Sequence, residues 1–111
     1  MEKISPTADL HRLTSDERID FVKKWASLTE EEIEVIHNSG SLGFEKASRM
    51  IENAIGTISI PLGVASNFRI NGKEYLIPMA TEEPSVIAAA SNGAKMARFR
   101  GGFTACSTNQ L

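Results

Sequence analysis

Three side chains that could take part in chemistry lie close together in the second half of this 111-residue chain: Glu82, Glu83 and Ser85. One of the two carboxyl groups could act as an acid or hydrogen-bond donor if it pointed into a cleft, because burial favours the protonated form. The Ser85 hydroxyl and the N–H groups of a following helix could hold a carboxylate or phosphate oxygen. A simpler interpretation is that the glutamates stabilise a helix N-terminus and that Ser85 is an ordinary first-turn residue. The residues alone leave both interpretations open.

A long β-hairpin is predicted just before these residues. Asn71-Gly72 is typical of a type I′ turn, because both central residues of that turn need a positive φ angle. Apolar residues alternate along the preceding stretch, which predicts a strand with one apolar face. These apolar residues are Ile58, Ile60, Leu62, Val64, Phe68 and Ile70.

A two-residue turn also fixes which residues face each other across the hairpin. The expected pairs are Phe68 with Tyr75, Arg69 with Glu74, Ser66 with Ile77, Val64 with Met79, Ala65 with Pro78, and Gly63 with Ala80. The small residues on one face predict that another layer approaches closely. Pro61 and Pro78 cannot donate to a ladder, so each is expected at an edge, an end or a bulge. Residues 103–108 could begin a further strand.

Helices are expected before the hairpin, after an N-terminal arm at residues 1–13 with little structure of its own. Two of them begin at capping boxes, in which a threonine hydroxyl accepts a bond from the N–H of a glutamate three residues later and the glutamate reaches back. These boxes are Thr14 with Glu17, and Thr29 with Glu32.

A third helix is predicted from an apolar stripe that runs from Phe44 to Ile55, with Gly56 placed to end it. Glu52 and Asn53 lie on this predicted helix, opposite the stripe, where the simplest interpretation is a solvated face.

A fourth helix is predicted after the hairpin, with Pro84 at its first position. It continues from Val86 to Arg98 with many small side chains, and Gly101-Gly102 ends it. The sequence therefore predicts one domain of the α+β class, with N-terminal helices, a long hairpin and a further helix.

The composition excludes several classes of protein. The chain is 41% hydrophobic and 23% charged with a net charge of −2, so nothing favours nucleic acid or a membrane surface as a partner. No apolar run is long enough to span a membrane, and the N-terminus lacks the core of a signal peptide. The single cysteine, Cys106, would ordinarily be a small buried hydrophobe, and its lack of a partner indicates a reducing compartment such as the cytoplasm. His11 and His37 have no second ligand at a suitable spacing, so no metal site is predicted.

Several motifs in the right order resemble one enzyme family. Residues 52–56, Glu-Asn-Ala-Ile-Gly, resemble the E-N-x-I-G motif of hydroxymethylglutaryl-coenzyme A reductases. The segments at 60–65 and 75–82 are also similar to that family, and so is the Gly-Gly-Phe-Thr at 101–104. The segment at 82–91, Glu-Glu-Pro-Ser-Val-Ile-Ala-Ala-Ala-Ser, resembles the soluble class II form.

This resemblance implies a reaction and a set of site residues. The family reduces the thioester hydroxymethylglutaryl-coenzyme A to mevalonate and coenzyme A with two hydrides from NADH or NADPH. By resemblance, Glu83 is the catalytic glutamate that hydrogen-bonds the thioester carbonyl with help from a lysine, and Ser85 binds the hydroxymethylglutaryl part. The resemblance also implies that Arg12, in the N-terminal arm, contacts a phosphate of coenzyme A. The residues implied at a homodimer interface are Glu52, Asn53, Ile55 and Gly56.

The resemblance also implies that residues 1–111 are the N-terminal portion of the large, substrate-binding domain. The catalytic lysine, aspartate and histidine of the family, and its small cofactor-binding domain, would lie beyond residue 111. We therefore expect a fragment that is inactive by itself, from a cytoplasmic enzyme that forms a dimer or higher oligomer. Two alternatives stay open: a non-catalytic module that self-associates through the 44–55 helix and the hairpin, and a small protein that binds an anionic ligand at the Glu83–Ser85 turn.

Overall fold

The computed structural model describes residues 10–38 and 40–109 and confirms the α+β class. Its helices are α1 (Ser15–Ala26), α2 (Glu30–His37), α3 (Phe44–Met50) and α4 (Val86–Ala97), and its strands are β1 (Leu62–Ile70) and β2 (Lys73–Ala80). Short 3-10 turns occupy Leu10–Arg12 and Arg98–Arg100. The chain divides into two compact units, one formed by residues 14–60 and the other by the residues before and after them.

Both predicted capping boxes are confirmed in the 14–60 unit. The Thr14 hydroxyl accepts from the Glu17 N–H at 3.2 Å, and the Thr14 N–H donates to the Glu17 carboxylate at 2.7 Å. Thr29 and Glu32 repeat this arrangement at 3.2 and 2.8 Å. Such caps provide acceptors for backbone N–H groups of the first turn, which have no partner within the helix. Each cap typically stabilises a helix by about 1 kcal/mol.

The third helix ends earlier than predicted. It stops at Met50, where Ile51 takes an extended backbone, and Asn53 adopts a left-handed φ of +54°. The prediction that Glu52 and Asn53 lie on a helix ended by Gly56 is therefore wrong. An apolar stripe stabilises a helix mainly through the surface it packs against. Ala47 of this stripe is buried, but the part near and beyond the end of the helix is exposed, with Met50 at 69% and Ile55 at 99%.

The hairpin is confirmed near its turn. Asn71 and Gly72 both have positive φ angles, +51° and +78°, as the type I′ turn requires. Phe68 lies opposite Tyr75, and Arg69 lies opposite Glu74.

Beyond Phe68 the predicted register is wrong by one residue. The observed pairs are Ala65 with Ile77, Val64 with Pro78, Gly63 with Met79, and Leu62 with Ala80. The cause is a β-bulge: Ser66 and Asn67 together occupy the space that one residue of β2 spans, and Asn67 has a φ of +69°. Strand β1 also begins at Leu62, so Ile58 and Ile60 lie outside the hairpin, with exposures of 90% and 55%.

Helix α4 packs against the small residues of β1, which confirms the prediction that another layer approaches them closely. A Cβ on Gly63 would collide with the side chain of Ile87, which explains why the helix can approach here. Ala65 and Ala94 are almost fully buried, so the core of this unit lies between β1 and α4. In contrast to the prediction, Pro84 is not a helical residue, because α4 begins only at Val86 with Ser85 as its N-cap.

A glycine pair turns the chain back to the hairpin after α4. Gly101 and Gly102 have φ angles of +91° and +87°, so the predicted helix stop is confirmed. The Phe103 N–H then donates to the Arg69 carbonyl at 2.7 Å, and the Asn71 N–H donates to the Phe103 carbonyl at 2.9 Å. The further strand predicted at 103–108 is thus reduced to one bridge beside β1.

Candidate functional site

The turn between β2 and α4 carries the residues that sequence analysis singled out. Thr81 anchors its first end, because the Thr81 N–H donates to the Pro61 carbonyl at 3.1 Å. The Thr81 hydroxyl accepts from the Glu83 N–H at 3.2 Å and so tightens the turn. Ser85 ends the turn, and its carbonyl accepts the first α-helical bond, from the Ala89 N–H at 2.8 Å. Glu83 and Ser85 are therefore held on one short, hydrogen-bonded segment.

Ser85 has an unusual backbone for a residue other than glycine. Its φ of +73° is left-handed, a conformation that costs about 1–3 kcal/mol and persists where the surroundings impose it. Its side chain forms no capping bond to the helix. The Ser85 hydroxyl and the first N–H groups of α4 therefore form a site suited to the oxygen atoms of an anionic ligand.

The two carboxylates of this turn, Glu82 and Glu83, are exposed to solvent, and so is Ser85. An acid or hydrogen-bond donor role requires burial, which the described residues of this chain do not supply. Chemistry at Glu83 would therefore need a substrate or further protein to cover the turn.

A buried polar junction joins α4 to the bulge of β1. Ser66 and Asn67 are only 2% and 3% exposed. The Ser66 N–H donates to the Ser91 hydroxyl at 3.0 Å, and that hydroxyl donates to the Ile87 carbonyl at 3.0 Å. The Asn67 side-chain amide donates to the Ser91 carbonyl at 3.1 Å. Sequence reasoning missed this junction, although two consecutive polar residues within an apolar alternation were a signal that the strand is irregular.

An ion pair joins the far end of α4 to the hairpin. The Arg98 guanidinium donates to both carboxylate oxygens of Glu74, at 2.6 and 3.0 Å, and also to the Asn67 carbonyl at 3.4 Å. Hydrogen bonding to Glu74 raises the pKa of Arg98, and its Coulomb attraction acts in the same direction, against the lowering effect of burial. Arg69 and Glu74 are cross-strand neighbours, as predicted. The ion pair, however, joins Glu74 to Arg98. Sequence reasoning placed Arg98 only at a helix end, because nothing local links residues 24 positions apart.

The remaining predicted site residues are placed as follows. Arg12 is exposed in the Leu10–Arg12 turn, whereas residues 1–9 of the predicted arm lie outside the described residues. Glu52, Asn53, Ile55 and Gly56 form an exposed turn in the 14–60 unit, which is a separate unit from that of the Glu83–Ser85 turn.

Other possible reactive groups are few in the described part of the chain. Cys106 is exposed, so the expectation of a buried cysteine is wrong. Residues 10–38 and 40–109 contain no group of three His, Cys, Asp or Glu side chains arranged to hold a metal ion. Among the same residues, no helix is long and apolar enough to cross a membrane.

Comparison with known proteins gives a consistent set of matches. The profile of the hydroxymethylglutaryl-coenzyme A reductase family matches residues 14–111. The 3-hydroxy-3-methylglutaryl-coenzyme A reductase of Archaeoglobus fulgidus is 54% identical over 101 residues, which are 91% of this chain and 23% of that protein.

Solved structures of the Streptococcus pneumoniae 3-hydroxy-3-methylglutaryl-coenzyme A reductase are also similar. One is 34% identical with a TM-score of 0.75. The match covers 86% of this chain and 26% of the Streptococcus pneumoniae chain. Another, the class II enzyme bound to NADPH in open conformations, is 33% identical with a TM-score of 0.77. The match covers 89% of this chain and 27% of that chain. The chain thus spans about a quarter of the length of these relatives.

Proposed function

Because the chain belongs to the hydroxymethylglutaryl-coenzyme A reductase family, we propose that residues 1–111 are the N-terminal portion of the large, substrate-binding domain of such an enzyme. The enzyme reduces hydroxymethylglutaryl-coenzyme A to mevalonate and coenzyme A, or catalyses the reverse reaction, with NADH or NADPH. The observation that carries this proposal is the Glu83–Ser85 turn at the start of α4, in a chain that matches the family from residue 14 onwards.

Glu83 acts on the reacting oxygen in this proposal. Its carboxyl group hydrogen-bonds the carbonyl oxygen of the thioester, where negative charge develops during reduction. A carboxyl group donates only when it is protonated, and burial favours that form. Because Glu83 is exposed in this chain, the covering groups are the substrate and the parts of the enzyme beyond these residues. The chain alone is therefore inactive.

Ser85 and Arg12 bind the substrate. The hydroxymethylglutaryl group ends in a carboxylate, and the positive end of the α4 dipole favours an anion next to Ser85. The Ser85 hydroxyl is not used for capping, which leaves it able to donate to that carboxylate. Arg12 contacts a phosphate of coenzyme A, since a guanidinium forms strong charge-assisted bonds to phosphate oxygens.

The nicotinamide cofactor is bound by another part of the enzyme. The described residues form one two-stranded antiparallel sheet, and the glycine-rich strand-to-helix phosphate loop of doubly wound dinucleotide-binding folds is not among them. The NADPH in the Streptococcus pneumoniae structure supports the use of a nicotinamide cofactor by this family. The cofactor would supply the hydride, and the part of this chain in the reduction is the hydrogen bond from Glu83 to the thioester carbonyl oxygen.

The enzyme is a homodimer or a higher oligomer in this proposal, with Glu52, Asn53, Ile55 and Gly56 at the subunit interface. An exposed isoleucine supports this assignment, since Ile55 is 99% exposed on a turn that carries the family motif. The enzyme is cytoplasmic, and neither nucleic acid nor a membrane is a partner.

The test is an assay of the full-length gene product with hydroxymethylglutaryl-coenzyme A and reduced nicotinamide cofactor, run beside the 111-residue chain. We expect two equivalents of cofactor oxidised for each mevalonate formed by the full-length protein, and none by the chain alone. A full-length product that does not consume the thioester would contradict the proposal.

The exposed apolar side chains also support a second candidate, a non-catalytic module that self-associates. Phe44 and Ile58, for example, are 56% and 90% exposed. This candidate predicts that the 111-residue chain sediments as a folded dimer without any ligand. A monomeric or aggregating chain would argue against it.

A further inference from the structure

We propose that Ser91 is a positioning residue for the reaction, because it fixes α4 to the bulge of β1 and thereby sets the place of the Glu83–Ser85 turn. This inference rests on the proposed function of that turn. Ser91 lies six residues after Ser85, about 9 Å along the helix axis, so it does not itself reach the reacting atoms.

The Ser91 hydroxyl makes two different hydrogen bonds at once. It accepts from the Ser66 N–H of the strand and donates to the Ile87 carbonyl of its own helix, both at 3.0 Å. A bulge takes a residue out of the regular ladder, and Ser91 supplies the bond that satisfies this buried N–H. A second bond, from the Asn67 amide to the Ser91 carbonyl at 3.1 Å, joins the same two elements.

The bonds to β1 hold α4 near its middle, at Ser91, and the Ser91 hydroxyl links this point to the first turn through the Ile87 carbonyl. The Ile87 carbonyl belongs to the first turn of α4, and the side chain of Ile87 packs where Gly63 leaves room. The Arg98–Glu74 pair also holds α4, but Arg98 lies thirteen residues after Ser85, about 20 Å along the axis. Ser91 is therefore better placed to control a slide of α4 along β1.

A slide of α4 would move the proposed catalytic turn. At the other end of the turn, the Thr81 N–H is hydrogen-bonded to the Pro61 carbonyl. A shift of the helix would therefore change the conformation of the turn, because this end stays in place. Misplacement of a reacting group by 1 Å can cost about 100-fold in rate. The Ser91 hydroxyl thus acts through Glu83 and Ser85.

The test uses the full-length gene product with hydroxymethylglutaryl-coenzyme A as substrate, at a temperature well below the melting point of every variant. We expect Ser91→Ala to lower kcat about tenfold with a smaller change in KM, because alignment rather than ground-state binding is lost. Ser91→Thr keeps the hydroxyl and should recover most of kcat. Ser48→Ala is the matched control, since the Ser48 hydroxyl donates only to a carbonyl of its own helix, at 3.0 Å, and it should behave as wild type.

A second variant tests the same junction from the strand. Asn67→Gly removes the amide but tolerates the φ of +69°. Its effect on kcat should be less than additive with that of Ser91→Ala, because the two changes remove separate bonds of one junction between β1 and α4.

The outcomes separate this inference from the proposed function. If wild type is active, Glu83→Gln is inactive and Ser91→Ala keeps the kcat of the Ser48→Ala control, the positioning role is wrong while the proposed function stands. A Ser91→Thr variant as slow as Ser91→Ala would also overturn the role of the hydroxyl. A wild-type protein that does not reduce the thioester would overturn both.

Discussion

At the scale of single residues, the structure separates side chains that hold the fold from side chains that are free to act. Ser91, Glu74 and Arg98 are engaged with neighbours that are distant in sequence. Glu83 and Ser85 are exposed, and the Ser85 hydroxyl makes no capping bond. The sequence pointed to Glu83 and Ser85 because they precede a predicted helix and belong to a family motif. The sequence could not reveal the roles of Ser91, Glu74 and Arg98, because their contacts join residues about 25 positions apart.

Breaking the Arg98–Glu74 ion pair should lower the stability of the fold considerably. The two side chains are only 19% and 12% exposed, so Arg98→Ala removes the arginine from a mostly buried carboxylate. We expect a loss of about 3 kcal/mol in the free energy of unfolding. Arg100→Ala, at an exposed position in the same turn, is the control and should change it by less than about 0.5 kcal/mol. Thermal or urea unfolding measures both.

The same pair predicts how this stability depends on pH. Glu74 raises the pKa of Arg98 in the folded state, so the stabilisation is present below the ordinary arginine pKa and is lost only as the pH rises through the folded value. The difference in unfolding free energy between wild type and Arg98→Ala should therefore stay constant between about pH 7 and pH 9. A difference that shrinks within this range would contradict the assignment.

At the scale of secondary structure, the elements with local signals were predictable. The two capping boxes and the Asn71-Gly72 turn each specify their geometry within four residues, and all three are confirmed. The bulge at Ser66-Asn67 was not predicted, because an alternating pattern is compatible with a regular strand. Helix α3 was predicted too long because an apolar stripe does not show what it packs against.

Two glycines should respond in opposite ways to alanine. Gly102 has a φ of +87°, and a Cβ there would collide with the Arg69 carbonyl oxygen of the backbone. Gly102→Ala should therefore cost about 1–3 kcal/mol in unfolding free energy. Gly93 lies inside α4, and a methyl group added there would meet nothing within 4 Å, so Gly93→Ala should stabilise by about 0.5–1 kcal/mol. Equal effects in urea unfolding would show that the turn after α4 is not strained.

At the scale of the whole molecule, the 14–60 unit has an apolar surface with no cover among the described residues. Its exposed large apolar side chains are Val35, Ile36, Leu42, Phe44, Met50, Ile51, Ile55, Ile58 and Ile60. Contiguous exposed apolar patches are typical of interaction sites, and this set of side chains supports the proposed interface. It agrees with a chain that spans about a quarter of its relatives' length and with the proposed contact between subunits.

The proposed subunit interface predicts a specific response to charge. Ile55→Asp in the full-length gene product places a carboxylate where an apolar contact is proposed, so we expect the dimer to dissociate and activity to fall. Met96→Asp is the control, since Met96 is 61% exposed and lies in the other unit, outside the apolar surface of residues 14–60. Sedimentation velocity measures the result, and an Ile55→Asp protein that stays dimeric would place the interface elsewhere.

Glu83 acts on the thioester in the proposed reaction, and one comparison of variants tests this role most directly. Glu83→Gln and its neighbour Glu82→Gln remove the same charge from the same turn, in which both residues are exposed. Steady-state reduction of hydroxymethylglutaryl-coenzyme A by the full-length gene product should lose at least about 100-fold in kcat with Glu83→Gln. With Glu82→Gln it should stay within about threefold of wild type. Equal, near-normal rates for the two variants would contradict the catalytic role of Glu83.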